Sequence, residues 1–252
     1  MPASKAIDAL LEEGRLFSPS KTFVKQANVS DPAVYEEARQ DFEGFWERMA
    51  GDLHWFRKWD RVLDDDNPPF FQWFVGGKLN ASYNCLDRHT EDVRRNKAAL
   101  IWEGEPGEVR VYTFQMLQDE VCRVANGLRK LGVRRGDVVT VHLPMIPELP
   151  IVMLACARIG AIHSVVFAGF SAEALATRMK DAESRILVTC DGYYRRGQVV
   201  DQQAKASEAL EALPFAVDNV VYVRRIGTEV ARAEERDLWW DELLRESSRC
   251  EP

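Results

Sequence analysis

Most of the features that would assign this chain at a glance are missing from it. No apolar run approaches the roughly 18 residues of a membrane span, so no membrane partner is expected. The first helix-like stretch, Ala6–Leu16, carries Asp8, Glu12 and Glu13 within its apolar part. It therefore has neither the basic start nor the apolar centre of a secretory signal, and a cytoplasmic location is expected. Cysteine is scarce: Cys85, Cys122, Cys156, Cys190 and Cys250 are odd in number and never form C-x-x-C, which argues against a disulfide framework and a structural zinc site. His54, His89, His142 and His163 show no metal-ligand spacing, and His142 and His163 lie in apolar strand-like runs that suit a satisfied core or edge imidazole. Neither G-x-G-x-x-G after a strand nor G-x-x-x-x-G-K-[ST] occurs, which excludes a plain Rossmann or P-loop domain. Without G-x-S-x-G there is no hydrolase nucleophile elbow. The acid pairs Glu36-Glu37 and Glu234-Glu235 are sequence neighbours that diverge on a helix, so they read as solvated faces rather than an acid/base couple. A net charge of -7 and a pI near 5.3 argue against a broad nucleic-acid-binding face.

What is present is the composition of a globular protein: 46% hydrophobic and 29% charged residues exclude disorder and collagen. The 252 residues suffice for one large or two modest domains with a real core. From Thr113 onward helix and strand alternate. Thr113 is placed as an N-cap, and behind it Leu117, Val121, Val124, Leu128 and Leu131 form one apolar stripe closed by Gly132. Strands are expected at Val138–Leu143, Ala161–Phe167, Arg185–Cys190 and Asn219–Arg224. Helices are expected at Pro147–Ile159, apolar nearly all round and so pressed on both sides, at Ala172–Ala182 capped by Ser171, and at Asp201–Leu213 stopped by Pro214. A short helix is expected near Trp239–Leu244. This order predicts right-handed crossovers and an α/β fold, a parallel doubly wound sheet with helices on its faces.

The first hundred residues differ in kind. Asp31-Pro32 starts a helix on which Tyr35, Ala38, Phe42, Phe45 and Met49 make a bulky stripe, which predicts packing on something large. Trp55 to Trp73 is rich in aromatics, aspartates and prolines, with Asp64–Pro69 a break. The expected division is a helical, irregular extension over residues 1–105 and a partial α/β unit over residues 106–252. Gly76-Gly77-Lys78 precedes no convincing helix and reads as a surface turn.

Ligands of open α/β sheets bind outside the carboxyl ends of the strands, which directs attention to two loops. Asp191-Gly192-Tyr193-Tyr194-Arg195-Arg196-Gly197-Gln198 follows the third strand. Its two guanidiniums suit phosphate oxygens and Gly197 permits close backbone approach; solvated loop charges are the equally open alternative. Phe167-Ala168-Gly169-Phe170 follows the second strand, where small residues between aromatics either admit a flat ring such as adenine or serve core packing. Taken as lying on adjacent strand ends, the two loops make one site.

Trp73-Phe74-Val75-Gly76-Gly77-Lys78-Leu79-Asn80, then Tyr83-Asn84-Cys85-Leu86-Asp87-Arg88-His89, closely resemble the N-terminal signature of the AMP-forming acetyl-CoA synthetases, acetate–CoA ligases of the adenylate-forming superfamily. The likeness continues through Ala161–Phe167, Gly169-Phe170-Ser171 and Arg195-Arg196-Gly197, from about Phe23 to Pro252. The resemblance implies a ligase that joins acetate to ATP, with Mg2+, as acetyl-adenylate and pyrophosphate, then passes the acetyl group to CoA. It implies that Phe167, Ala168 and Gly169 line the CoA adenine, and that Arg195, Arg196, Gly197 and Gln198 hold its nucleotide end. Many relatives carry a basic residue where this chain has Gln198, which donates to phosphate without charge. The family's phosphate loop, ATP motifs, acyl pocket and catalytic lysine would follow Pro252. The chain is thus expected to be an N-terminal piece, with no catalytic residue of its own, whose partner is the remainder of the same protein, and to be inactive and prone to self-association alone. The alternatives are a truncated nucleotide- or partner-binding paralogue and a ligase for propionate or another short acid.

Overall fold

A computed structural model describes residues 14, 16–233, 235–245 and 249–252, so most of the expected Ala6–Leu16 stretch, and Glu234, lie outside the described residues. The chain divides into two compact units, residues 1–52 with 62–73, and residues 53–61 with 74–252.

In the first unit, helix α1 is Lys21–Gln26, α2 is Ala33–Gln40 and α3 is Phe42–Gly51. Sequence periodicity implied one helix from Pro32 through Met49; the structure breaks it at Asp41, which has φ -137° and whose carboxylate caps the Gly44 amide at 3.0 Å. The break turns the expected stripe outward: Tyr35, Phe42 and Met49 are 68%, 49% and 47% exposed. Phe42 and Trp46 instead meet Trp73 edge-on, with ring centroids 5.7 and 6.1 Å apart. Strands β1 (Arg61–Asp64) and β2 (Gln72–Val75) form a two-stranded sheet.

The second unit contains the main sheet. A π-turn, Tyr83–Asp87, runs into the short helix α4, Arg88–Thr90. The antiparallel hairpin β3 (Ala98–Glu103) and β4 (Val109–Thr113) follows, in a region expected to be irregular. Helix α5 is Phe114–Lys130, with the Thr113 hydroxyl accepting from the Met116 amide at 3.2 Å. Then come β5 (Val138–Val141), α6 (Glu148–Ile159), β6 (Ile162–Val165), α7 (Ala172–Asp181) and β7 (Ile186–Cys190). The chain after β7 was read as a loop; it is a hairpin, β8 (Gly192–Arg195) and β9 (Gln198–Asp201). Helix α8 (Gln202–Glu211), β10 (Asn219–Val223), β11 (Asp237–Trp239) and α9 (Trp240–Leu243) complete the unit.

Five parallel strands lie in the order β11-β10-β7-β5-β6. Alternation along the strands assigns each face. On β7, Ile186, Val188 and Cys190 enter a core with α5 and α6, whereas Leu187 enters a second core with α7 and α8. Side chains such as Val121, Val124 and Leu128, with no exposed surface, each contribute on the order of 1.5–3 kcal/mol of burial. The chain leaves β5 for β6 on one side and β7 on the other, so the strand order reverses beside β5. A crevice opens at such a reversal. No helix among the described residues is long and apolar enough to cross a membrane.

Candidate functional site

The residues of the signature near Asn80 form an anchor. Asn80 donates its side-chain amide to the carbonyls of Ala157 and Arg158 at 3.0 and 3.1 Å, in the last turn of α6, where carbonyls lack intrahelical partners. Asn84 accepts from the His54 amide at 2.8 Å and donates to the His54 carbonyl at 3.0 Å. Asp87 receives the fully buried Arg158 guanidinium in a bidentate pair of 2.7 and 2.8 Å. The glycines nearby serve packing: a Cβ on Gly77 would stand 2.6 Å from the Trp55 ring, and Gly76 sits at φ +76° in a turn, as expected. A cleft of about 660 Å³ beside the anchor is lined by charges of both signs, among them Asp87, Glu91, Arg95, Asp119, Arg123 and Arg249. It lies away from the strand ends.

At the strand ends the picture is different. A cleft of about 260 Å³ is lined by Phe167, Ala168, Gly169 and Arg195 together with Trp102, Glu103, Gly104, Glu105, Met145, Tyr194 and Arg225. The two loops were taken as neighbours along the sheet; in fact β6 and β7 are separated by β5, and the loops meet above its end. The Tyr193 hydroxyl donates to the Ala168 carbonyl at 3.4 Å, and Lys205 from α8 donates to the same oxygen at 3.3 Å. Phe167 is 56% exposed and meets Phe170 edge-on at 5.6 Å, while the Arg195 guanidinium lies 5.8 Å above its ring. Gly169 makes this possible, because a Cβ there would fall 2.4 Å from the Phe167 ring and 2.9 Å from Arg195.

Of the seven residues proposed from sequence, Phe167, Ala168, Gly169 and Arg195 line this cleft, whereas Arg196, Gly197 and Gln198 lie at the exposed hairpin tip beyond it. The tip is tight. Arg195 pairs with Gln198, and Arg196 and Gly197 both take left-handed conformations, φ +53° and +73°, as a two-residue hairpin turn requires. Among the described residues neither Arg195 nor Arg196 has an acidic side chain as ion-pair partner. The other arginine lining the cleft, Arg225, pairs with Glu108; Arg110, stacked on Trp102, pairs with Glu148 at 2.7 and 3.0 Å.

Sequence reasoning missed the far wall and its support. Arg225 lies 4.9 Å over Tyr194 and 5.2 Å over Trp102, and Trp102 donates its indole N–H to the Met145 carbonyl at 2.7 Å. Buried Asp191, directly after β7, accepts from the amides of Arg225, Ile226, Gly227 and Thr228 at 2.7–3.3 Å. A carboxylate followed by glycine after a mostly apolar strand was the available signal. Beneath the cleft, His142 is fully buried, with the Gln202 amide nitrogen 2.9 Å from Nδ1. Burial, then the Lys205 ammonium, push it down to about 4, against a hydrogen bond to the Phe167 backbone, so it is neutral at pH 7. Among the described residues no three His, Cys, Asp or Glu side chains are placed to hold a metal ion.

Uncompensated guanidiniums beside an exposed phenyl ring and a narrow slot can take a flat ring bearing negative charge. Comparison with known proteins bears on which. Residues 32–85 match the model of the acetyl-coenzyme A synthetase N-terminus, and residues 86–250 that of AMP-binding enzymes. The chain is 57% identical over 234 residues to an acetyl-coenzyme A synthetase of Rubrobacter xylanophilus, covering 92% of this chain and 36% of the relative. A Gemmatimonas aurantiaca acetyl-coenzyme A synthetase is 50% identical, with 98% and 38% covered. The chain thus spans just over a third of the length of these relatives. Among solved structures, an acetoacetyl-CoA synthetase from Streptomyces lividans superposes with a TM-score of 0.82 at 26% identity, over 93% of this chain and 38% of that one.

Proposed function

Because the chain belongs to the AMP-binding enzyme family, we propose that it supplies the N-terminal portion of an acetate–CoA ligase and, within it, part of the seat for the nucleotide end of CoA. The observation that carries the reading is the cleft at the strand reversal, where Arg195, without a carboxylate partner, stands over the exposed Phe167 ring. In the proposed reaction acetate attacks the α-phosphate of ATP, the bond to pyrophosphate breaks, and acetyl-adenylate forms. The CoA thiol then attacks the acetyl carbon and AMP leaves with the electron pair of the broken bond. Mg2+ would offset phosphate charge in the first step; no residue of this chain is assigned to it.

The part taken by this chain is positional. Phe167 offers a face to adenine, with Ala168 and Gly169 as the smooth edge of the slot. Arg195 supplies a charge-assisted contact to phosphate, and Arg196, Gly197 and Gln198 extend the donor field at the hairpin tip. Neutral His142, Lys205 and Tyr193 hold the Phe167–Gly169 loop from below.

Calorimetric titration of the 252-residue chain with CoA tests the reading. Arg195→Ala is expected to weaken binding about tenfold or more, the worth of one hydrogen bond to a charged group, with the unfolding midpoint unchanged. The same preparation is expected to give no acetate-dependent ATP–pyrophosphate exchange. CoA binding indifferent to Arg195→Ala, or exchange above a protein-free blank, would overturn it.

A further inference from the structure

One donor of the hairpin tip is already taken. In a two-residue hairpin turn the second turn residue has no ladder partner, so the Gly197 N–H points outward. It donates to the Glu105 carboxylate, which reaches it from the β3–β4 connection 92 residues away. That connection is closed by its own bonds, Gly104 N–H to the Glu108 carbonyl at 2.8 Å and Gly107 N–H to the Gly104 carbonyl at 2.9 Å, with Gly107 at φ +92°. Glu105 is exposed and has no cationic side chain as ion-pair partner among the described residues, whereas Glu108 three residues on is neutralised by Arg225. Glu103 and Glu105 thus line the same cleft as Arg195, with the Glu105 carboxylate held against the tip of the hairpin that carries Arg195.

We infer that Glu105 is a built-in competitor for phosphate: its carboxylate occupies the anion position on the Gly197 turn, and a ligand phosphate must displace it. The inference rests on the proposed nucleotide seat for the class of ligand, a phosphorylated adenine nucleotide. One N–H cannot serve two anions at once, and their like charges repel, so the carboxylate and the phosphate exclude each other. The consequence is selectivity. A ligand that brings only adenine and ribose leaves Glu105 in place and gains nothing from the turn. A ligand with phosphate charge pushes it aside and collects the Gly197 N–H together with Arg195.

The test titrates the full 252-residue chain, its Glu105→Gln and Glu105→Ala variants, with adenosine 3′,5′-bisphosphate and with adenosine. Both variants are expected to bind the bisphosphate about fivefold or more tightly than wild type at low salt, the gain shrinking as salt rises, while adenosine affinity is unchanged. Unchanged or weaker bisphosphate binding would overturn the inference, as would an equal gain for adenosine or no bisphosphate binding to any of the three proteins. CoA serves as the separate arm. If the Glu105 variants tighten the bisphosphate but CoA fails to displace it, the CoA reading falls and the competitor stands. If CoA displaces it equally from variant and wild type, at equal affinities, the competitor falls and the CoA reading stands.

Discussion

Two arginines of the second unit, Arg158 and Arg195, are the same side chain in opposite circumstances. Arg158 has no exposed surface; its Nε donates to the Cys250 carbonyl at 2.5 Å and its two terminal nitrogens meet Asp87. Arg195 is exposed, and a phenyl ring lies beneath it where Arg158 has a carboxylate. The first joins a turn to a helix end across 71 residues of chain and is spent on architecture. The second has no carboxylate partner among the described residues, and on the proposed reading its charge is kept for a ligand phosphate. What decides between scaffold and site is thus the partner, not the residue type. The signature Tyr83–His89, so conspicuous as a sequence, belongs to the scaffold.

The contrast breaks most sharply at the anchor. Arg158→Met strands a buried Asp87 carboxylate and is expected to cost about 3–5 kcal/mol, a large part of a typical domain's stability. Urea denaturation by circular dichroism measures it, and adding Asp87→Leu to Arg158→Met should recover much of the loss. A smaller effect is expected from His142, buried beneath the cleft. Its folded pKa of about 4 lies below the ordinary 6.5, so the unfolded chain binds the extra proton first as pH falls. Stability contributed by the neutral imidazole is full above 6.5 and declines as pH drops from 6.5 towards 4, by roughly 2–3 kcal/mol in all. Urea midpoints at pH 7 and pH 4.5 should separate for wild type and separate less for His142→Gln. The smallest effect sharpens the comparison at the hairpin tip: Gln198→Arg adds a guanidinium with no carboxylate to spend it on. Adenosine 3′,5′-bisphosphate affinity is expected to rise about twofold to fivefold, with stability unchanged within about 0.5 kcal/mol.

How much of this could be read from residues alone follows from the range of the forces involved. Helix α5 was readable because Leu117, Val121, Val124 and Leu128 repeat within one turn of each other and Thr113 caps them locally. The break at Asp41 was not: aspartate is a preferred N-cap, but the apolar stripe runs straight past it and neither proline nor glycine stands at the break. The β8–β9 hairpin also escaped. An Asn-Gly turn would have announced it, whereas Arg196-Gly197 places an arginine at positive φ, which sequence rules do not expect. Phe167, Gly169 and Arg195 came from a rule about strand ends. Trp102, Glu105 and Arg225 did not, because they reach the cleft from β3–β4 and from beyond β10, and only the strand order brings them there.

Asp191 gives the cleft unequal walls in time as well as in charge. Its one carboxylate holds four consecutive amides of a loop outside the sheet, so their protons can exchange with solvent only when that grip is released. The segment Arg225–Thr228 should then exchange as slowly as a strand, while the amide of exposed Glu105 exchanges more quickly. On the proposed reading, a ligand arriving at the cleft is expected to meet a slow jaw carrying Arg225 and a quicker one carrying Glu105, the quicker being the side that yields.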